Sequence, residues 1–469
     1  MLERLEHTRH MRALALLLFG ACAAPEEGPD PSAGWGPFVH IARPNPVMTP
    51  LEGAWDSWIL ETSDAFKEGD TYYLYYHAAG EVSYQLGVAT AKHPLGPFER
   101  FGDAPVLTLG PEGSWDDSMV ACAMILKEAE GRWLMWYSGY GSGEETSLWS
   151  VGLATAPGPT GPWTKHEGNP IVRDFGYVGG VVKVDGEYRL YVAHPIGSTG
   201  PDYSPMSLAT ATSPEGPWKK HAENPVLREG AEGEWDHGGF SEAEVLYADG
   251  LHHMFYGGAT LMEPRIRTRE SVGYAFSADG VHFTRSPFNP VADLDDVPNA
   301  SAFAEVHAIH EPPFVFLYHT LRYEKAWREG DEDRMPMVED VGVQALVMER
   351  PFKLEVPLLA VDNLRGMCPT SLADCDVICL EGCDSLDIHL SGTYSKRASA
   401  GLRVALRTSQ DGLHFDAADD QAWNLPGVPT EALDLTVTAA LSAPFMKVVV
   451  TNLEGAAIEG LGVTATLGG

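Results

Sequence analysis

Positive charge is what this 469-residue sequence has least of: Lys+Arg number 32 against Asp+Glu 66, a formal net charge of −34. Such a chain repels phosphate backbones, and no basic run offsets the excess, so no nucleic acid partner is expected. Long apolar runs are also missing. No stretch approaches the roughly 18 residues of a membrane-spanning helix, which excludes such a helix as the anchor. Helical periodicity is nearly absent, which excludes a helical bundle. Cysteines are few, six in all. What is plentiful is Gly (49), Pro (34) and aromatic residues (10%), a mixture that suits short strands joined by turns. Hydrophobic residues at 44% and charged residues at 21% make the chain globular rather than disordered.

The N-terminus reads as an export signal. Met11 to Cys22, MRALALLLFGAC, has a basic start, an apolar run too short to span a bilayer, then small residues before a cysteine. Phe19-Gly20-Ala21-Cys22 is similar to the bacterial lipobox, which makes Cys22 the expected lipidation site. The expected organisation is a signal over 1–22, a tether over 23–35 rich in Pro, Glu and Gly, and then folded units. An outer-membrane or cell-surface lipoprotein of a bacterium is the expected localisation, with a secreted protein as the alternative. Membrane contact is expected only through the lipid. In that oxidising setting Cys368, Cys375, Cys379 and Cys383 predict two disulfides with three possible pairings, and their spacing matches no common zinc module. Cys122 stands alone in an apolar run and reads as buried and inert.

Internal repetition organises the middle of the chain. LGVATAKHPLGPFERFGDAPVL from Leu86, VGLATAPGPTGPWTKHEGNPIV from Val151, MSLATATSPEGPWKKHAENPVL from Met206 and VGYAFSADGVHFTRSPFNPVA from Val272 share one pattern. Partial copies start at Val39 and Val341. Between them lie hairpins with an apolar strand, a polar turn and an aromatic-rich strand, starting at Asp64, Ala123, Val181, Ala243 and Val306. The predicted fold is all-β: a five-bladed β-propeller over 36–360, a Cys-rich connector over 361–384, and a small C-terminal β-sandwich over 385–469.

Repetition separates architecture from function. Gly-x-Trp-Asp recurs at Gly53–Asp56, Gly113–Asp116 and Gly233–Asp236, so Asp56, Asp116 and Asp236 read first as turn-forming residues and second as substrate contacts. Singular residues are the better functional candidates. Glu61 and Glu242 fall at matching places on inner strands, where the second and third blades carry Ala121 and about Tyr177; Glu305 lies near the same level. Carboxylates converging on a central channel shift one another's pKa, the arrangement acid–base chemistry needs. A second ring is expected from strand ends: His77, Tyr140, His194 and His319 would line the mouth and suit a sugar. The plainer reading is that each glutamate or histidine bonds neighbouring backbone.

These blades, with TYYLYY, EAEVLYADG and FLYHT, resemble the five-bladed propeller glycoside hydrolases, nearest to family 43 and related to families 32, 68, 117 and 130. The resemblance covers about residues 36–355. It implies an exported hydrolase of a poly- or oligosaccharide, with Glu242 as general acid, Glu61 as base or nucleophile, and Glu305 or Asp174 keeping the acid protonated. Glu61 stands where the family has Asp. Family analogy favours inversion, which requires carboxyls roughly 6.5–9.5 Å apart. No cofactor is expected, although the resemblance admits an axial calcium near His307. Two rivals stay open. One is a catalytically silent propeller that binds glycan or protein. The other is a family 130-like phosphorylase using Arg265, Arg267, Arg269 and Arg322 for phosphate.

Overall fold

The computed structural model describes residues 34–469 except 144, 145, 147, 194–204, 262–267, 294–299, 325–336, 397–398 and 428–431; in strands, the side chains of 41–45, 300–304, 323–324 and 337–339 are also outside the description. Every regular element among the described residues is a β-strand, so the all-β expectation holds. No helix there is long and apolar enough to cross a membrane. The expected lipidation site, Cys22, and His194 lie outside the described residues.

Three consecutive four-stranded antiparallel sheets begin with Ile59–Glu68, Met119–Ala129 and Tyr177–Val184. Two further four-stranded units begin with Phe240–Ala248 and Ala300–Glu311, joined by a single parallel pair, Glu270 to Ala302. The fifth unit takes its outermost strand from the far end of the chain: Val39–Met48 pairs antiparallel with Met337–Val347. The five first strands pack one against the next, and the fifth packs against the first, closing a ring. Their centres are buried on both faces, which explains why polar alternation is weak in these segments.

The repeated motifs are the fastenings of each unit. Asp56, Asp116 and Asp236 are buried. Each meets a cation from its own outermost strand: Arg100 at 2.6 Å, Lys165 at 2.6 Å and Arg285 at 3.2 Å. The motif tryptophans Trp55, Trp115 and Trp235 lie against Tyr76, Tyr137 and Tyr256, with centroids 5.7, 5.5 and 5.9 Å apart. Asn169, Asn224 and Asn289 of the Asn-Pro segments accept the N–H groups of Leu153, Leu208 and Tyr274 at 2.9, 2.8 and 2.8 Å, standing in for a strand's backbone.

Two more four-stranded sheets follow. One holds Lys353–Leu364, Ser385–Tyr394, Ala432–Ala439 and Ile458–Gly468; the other holds Ile378–Cys379, Leu402–Ser409, Gln421–Leu425 and Phe445–Asn452. Leu386, Ile388 and Leu390 from one and Val404, Leu406, Val448 and Val450 from the other share one apolar core, which continues into Leu60, Phe316 and Val343 of the ring. The expected boundary at 360–361 falls inside the strand Lys353–Leu364, whose one-sided burial matches a sheet with a single covered face. The connector is likewise no separate segment, because Ile378–Cys379 pairs with Phe445 and Met446.

The expected disulfides are absent among the described residues. Cys375 is buried and its Sγ accepts the Val448 N–H at 3.2 Å, so that thiol is occupied by the sheet. Burial pushes the Cys383 thiol up to about 12, with Cys379 beside it adding to the effect. Backbone pairing, rather than a covalent clamp, fixes this stretch to the sheet.

Candidate active site

Each of the five first strands loses register in its first half, and the second and fifth have one further break each, between Lys127 and Ala129 and between Ala300 and Ala302. The shared breaks fall between Thr62 and Asp64, Ala121 and Met124, Val178 and Gly180, Phe240 and Ala243, and Ala304 and His307. A bulge re-aims the side chain it carries. Cys122 (φ 48°) and Glu305 (φ 45°) sit within these breaks in left-handed backbone, a conformation that costs about 1–3 kcal/mol and gathers at functional sites. Glu242 occupies the break in the fourth unit and directly precedes Ala243. The bulges also correct the expected alignment. Glu61 precedes its strand's break, whereas Glu242 and Glu305 lie inside theirs.

Glu242 is 3% exposed, and its Oε2 has no hydrogen-bond partner. Burial pushes its carboxyl up to about 8 and the Glu305 carboxylate pushes the same way; His77 and the Cys122 S–H oppose, and Glu270 adds a little. Cys122 stands at the focus. Burial raises its thiol well above the ordinary value, then Glu242, Glu305 and Glu61 add to the rise in that order. The charges acting on this thiol are thus those of the same three glutamates. Cys122 is buried, as expected, and its raised pKa keeps the thiol protonated.

Glu61 has different surroundings. Its Oε2 lies 2.8 Å from His77 Nε2 and its Oε1 3.8 Å from Arg322 Nη2. His77 Nδ1 lies 2.8 Å from Ser63 Oγ, and Arg322 Nη1 lies 3.2 Å from Glu270 Oε1. The chain Ser63–His77–Glu61–Arg322–Glu270 thus spans the first, fifth and fourth units. Glu61 faces two groups able to carry positive charge, while Glu242 is buried among carboxylates.

A deeper tier comprises Asp64, Glu244 and His307, all buried, with one donor atom from each within 4.8 Å of the others. His307 Nδ1 lies 3.3 Å from Glu244 and Nε2 lies 3.9 Å from Glu242. Burial pushes Asp64 up to about 7 and Glu244 well above its ordinary value, and pushes His307 down to about 3. The imidazole is therefore neutral, as a metal ligand must be. Two acids beside it that burial keeps protonated would ionise on meeting a divalent cation, and the three together would make its donor set.

Other expected residues fall elsewhere. Asp174 is exposed; its N–H bonds Ser150 Oγ at 3.3 Å and its carbonyl accepts Lys220 Nζ at 2.8 Å, so its place is on a loop and not among the groups acting most on Glu242. Asp116 and Asp236 are taken up by Lys165 and Arg285, which makes them fastenings rather than substrate contacts. His319 is fully buried, and burial pushes it down to about 3, so it does not line an open mouth. Tyr140 is half-buried against Trp149, which in turn meets Tyr177, at 5.4 and 5.7 Å. Arg322 is engaged by two glutamates and Arg269 is exposed; Arg265 and Arg267 lie outside the described residues.

No protein-family model and no curated protein matches the sequence. Among solved structures, the chain is similar to a protein described with the family 130 mannoside phosphorylases and the hydrolases among them that target β-1,2 mannosidic linkages in Candida mannan (17% identity, 65% of this chain and 94% of that one, TM-score 0.47). It is also similar to a glycosyl hydrolase from Bacteroides ovatus (16%, 68% and 96%, TM-score 0.49). A family 117 glycoside hydrolase of Zobellia galactanivorans is a third (15%, 66% and 90%, TM-score 0.45).

Proposed function

We propose that this protein is a five-bladed β-propeller with an appended β-sandwich, and that its ring hydrolyses glycosidic bonds of a poly- or oligosaccharide. The observation that carries the reading is the contrast between two buried carboxyl groups. Glu242, pushed up to about 8 and with one oxygen unpartnered, is a proton donor at neutral pH. Glu61, between His77 and Arg322, is held as the base or nucleophile. Two carboxyls whose environments drive them apart assign the acid and base of a glycosidase. Glu242 protonates the glycosidic oxygen as the bond to the anomeric carbon breaks. Glu61 either takes a proton from the attacking water or attacks that carbon itself. Glu305 keeps the proton on Glu242 between turnovers, the role Asp174 cannot fill from its loop. Asp64, Glu244 and His307 would hold a calcium ion, which would supply positive charge beneath the acid. The phosphorylase alternative has less support, since Arg322 already faces Glu61 and Glu270.

The test compares leaving groups. Glu242→Gln should lose about 10²–10⁴ in turnover on natural glycosides and less on nitrophenyl glycosides, which need little protonation. Glu61→Gln should be damaged alike for both. Loss at Glu242 that ignores the leaving group, with the fold intact, would reduce it to a substrate-positioning residue. No loss at either would favour the glycan-binding alternative.

A further inference from the structure

Trp58 is 62% exposed, a rare placement for the most costly side chain to leave in water. The repeats supply the control for its purpose. Two residues after each motif aspartate, the first unit carries Trp58, the second Ser118 and the fourth Gly238. All three make the same backbone bond: Trp58 N–H to Ala79 O at 3.0 Å, Ser118 N–H to Tyr140 O at 3.0 Å, and Gly238 N–H to Ala259 O at 2.9 Å. The architecture is therefore satisfied by a hydroxymethyl group or by no side chain at all. The indole is surplus to the fold.

Its position is set by what surrounds it. Trp58 directly precedes the strand Ile59–Glu68, at the same end of the ring as Glu61 and Tyr140. Ile59 and Leu60 separate it from Glu61, about 10 Å of extended chain. That is too far to touch the sugar that reacts and near enough for its neighbours. The base beneath it is firm. A Cβ on Gly80 would meet Trp55 O at 2.5 Å and Ser57 Oγ at 3.0 Å, so the turn carrying the exposed Val82 lies tight against the Trp58 segment.

We infer that Trp58 is a stacking platform for a sugar ring of a glycan chain that extends from the active site. A flat indole offers its face to the C–H groups of a pyranose, and the exposed site leaves the sugar hydroxyls in water. The substrate is accordingly a chain of several sugars rather than a disaccharide. This rests on the hydrolase reading for the identity of the site, but the binding can be tested without turnover.

The experiment is affinity electrophoresis of the full chain in gels cast with soluble mannan, arabinoxylan, pectin or laminarin. Wild type, Trp58→Ala, Trp58→Phe and Glu242→Gln are run together. Wild type should be retarded in at least one gel. Trp58→Ala should weaken that binding about fivefold to tenfold, while Trp58→Phe and Glu242→Gln keep most of it. Retardation of wild type in none of the gels, or equal retardation of Trp58→Ala, overturns the platform. Retardation that depends on Trp58 with no turnover of any glycoside upholds the platform and overturns the hydrolase.

Discussion

At the scale of single residues, the site is an exercise in separating like groups. Glu242 is protonated at neutral pH chiefly because burial denies its anion water, and Glu305 reinforces this. A donor is competent below its pKa, so kcat/KM should fall as pH rises through about 8. The same shift acts on stability with a definite sign. Between the ordinary carboxyl value and about 8 the folded protein binds a proton that the unfolded chain has released, so stability falls as pH rises through that window. Asp64, pushed up to about 7, and Glu244 add the same slope. Glu242→Gln should therefore melt about 2 °C or more above wild type at pH 8 and gain less at pH 5. Thermal scans at both pH values check this, and an equal difference at the two would remove the buried proton from the account. Much of this was legible in advance. Glu61, Glu242 and Glu305 stand out in the sequence because the second and third units have no carboxylate near these levels, but the bulges that set Glu61 apart from the other two could not be read. The left-handed backbone at Cys122 was not legible, since no residue pattern announces that bulge. Asp64 and Glu244 left a usable signal: acids inside strands expected to be buried on both faces have to be explained.

At the scale of elements, the motif aspartates show how repetition is enforced. Each ties the entry of a first strand to the outermost strand of the same sheet, through Arg100, Lys165 or Arg285. Asp236→Ala strips Arg285 of its buried partner and should cost about 2–3 kcal/mol, toward the lower end because the guanidinium keeps some water. Denaturant unfolding gives the cost, and an unchanged KM separates a fastening from a substrate contact. The deeper tier calls for a ligand instead. Calcium should raise the melting temperature of wild type, by about 2.7 kcal/mol of added stability at a hundred times its Kd, and should do nothing for Asp64→Asn. A chelator that leaves the wild-type melt untouched would count against the cation. The hairpins and closing Asn-Pro segments could be read from residues because turn chemistry is local. The boundary at Lys353 could not, because it depends on which sheet a strand joins.

At the scale of the whole molecule, the ring and the two C-terminal sheets share a continuous apolar core, so the second unit is no loosely tethered accessory. A chain of net charge −34 is well suited to remaining dispersed. Met11 to Cys22 carries the expectation of export with lipid at Cys22. Labelled fatty acid should enter the wild type and not Cys22→Ala; soluble, unlabelled wild-type protein would overturn the anchor. The all-β class and the resemblance were legible because five copies of one pattern leave few other solutions. The free state of Cys375 was not, because cysteine spacing is blind to a sheet N–H that engages its sulfur.

The ring is closed by Val39–Met48 against Met337–Val347, a pairing between opposite ends of the circuit. Closure therefore has to wait. While the chain is being made, the strand that seals the fifth unit emerges first and its partner emerges after almost the whole ring. For all that time the leading strand has an open edge and nowhere to put it. Contacts so distant in sequence also form slowly, since loop-closure entropy precedes their reward. The ring cannot lock before its last strand has arrived, so until then the chain stays open enough to be threaded, as the expected export signal at Met11 to Cys22 would require.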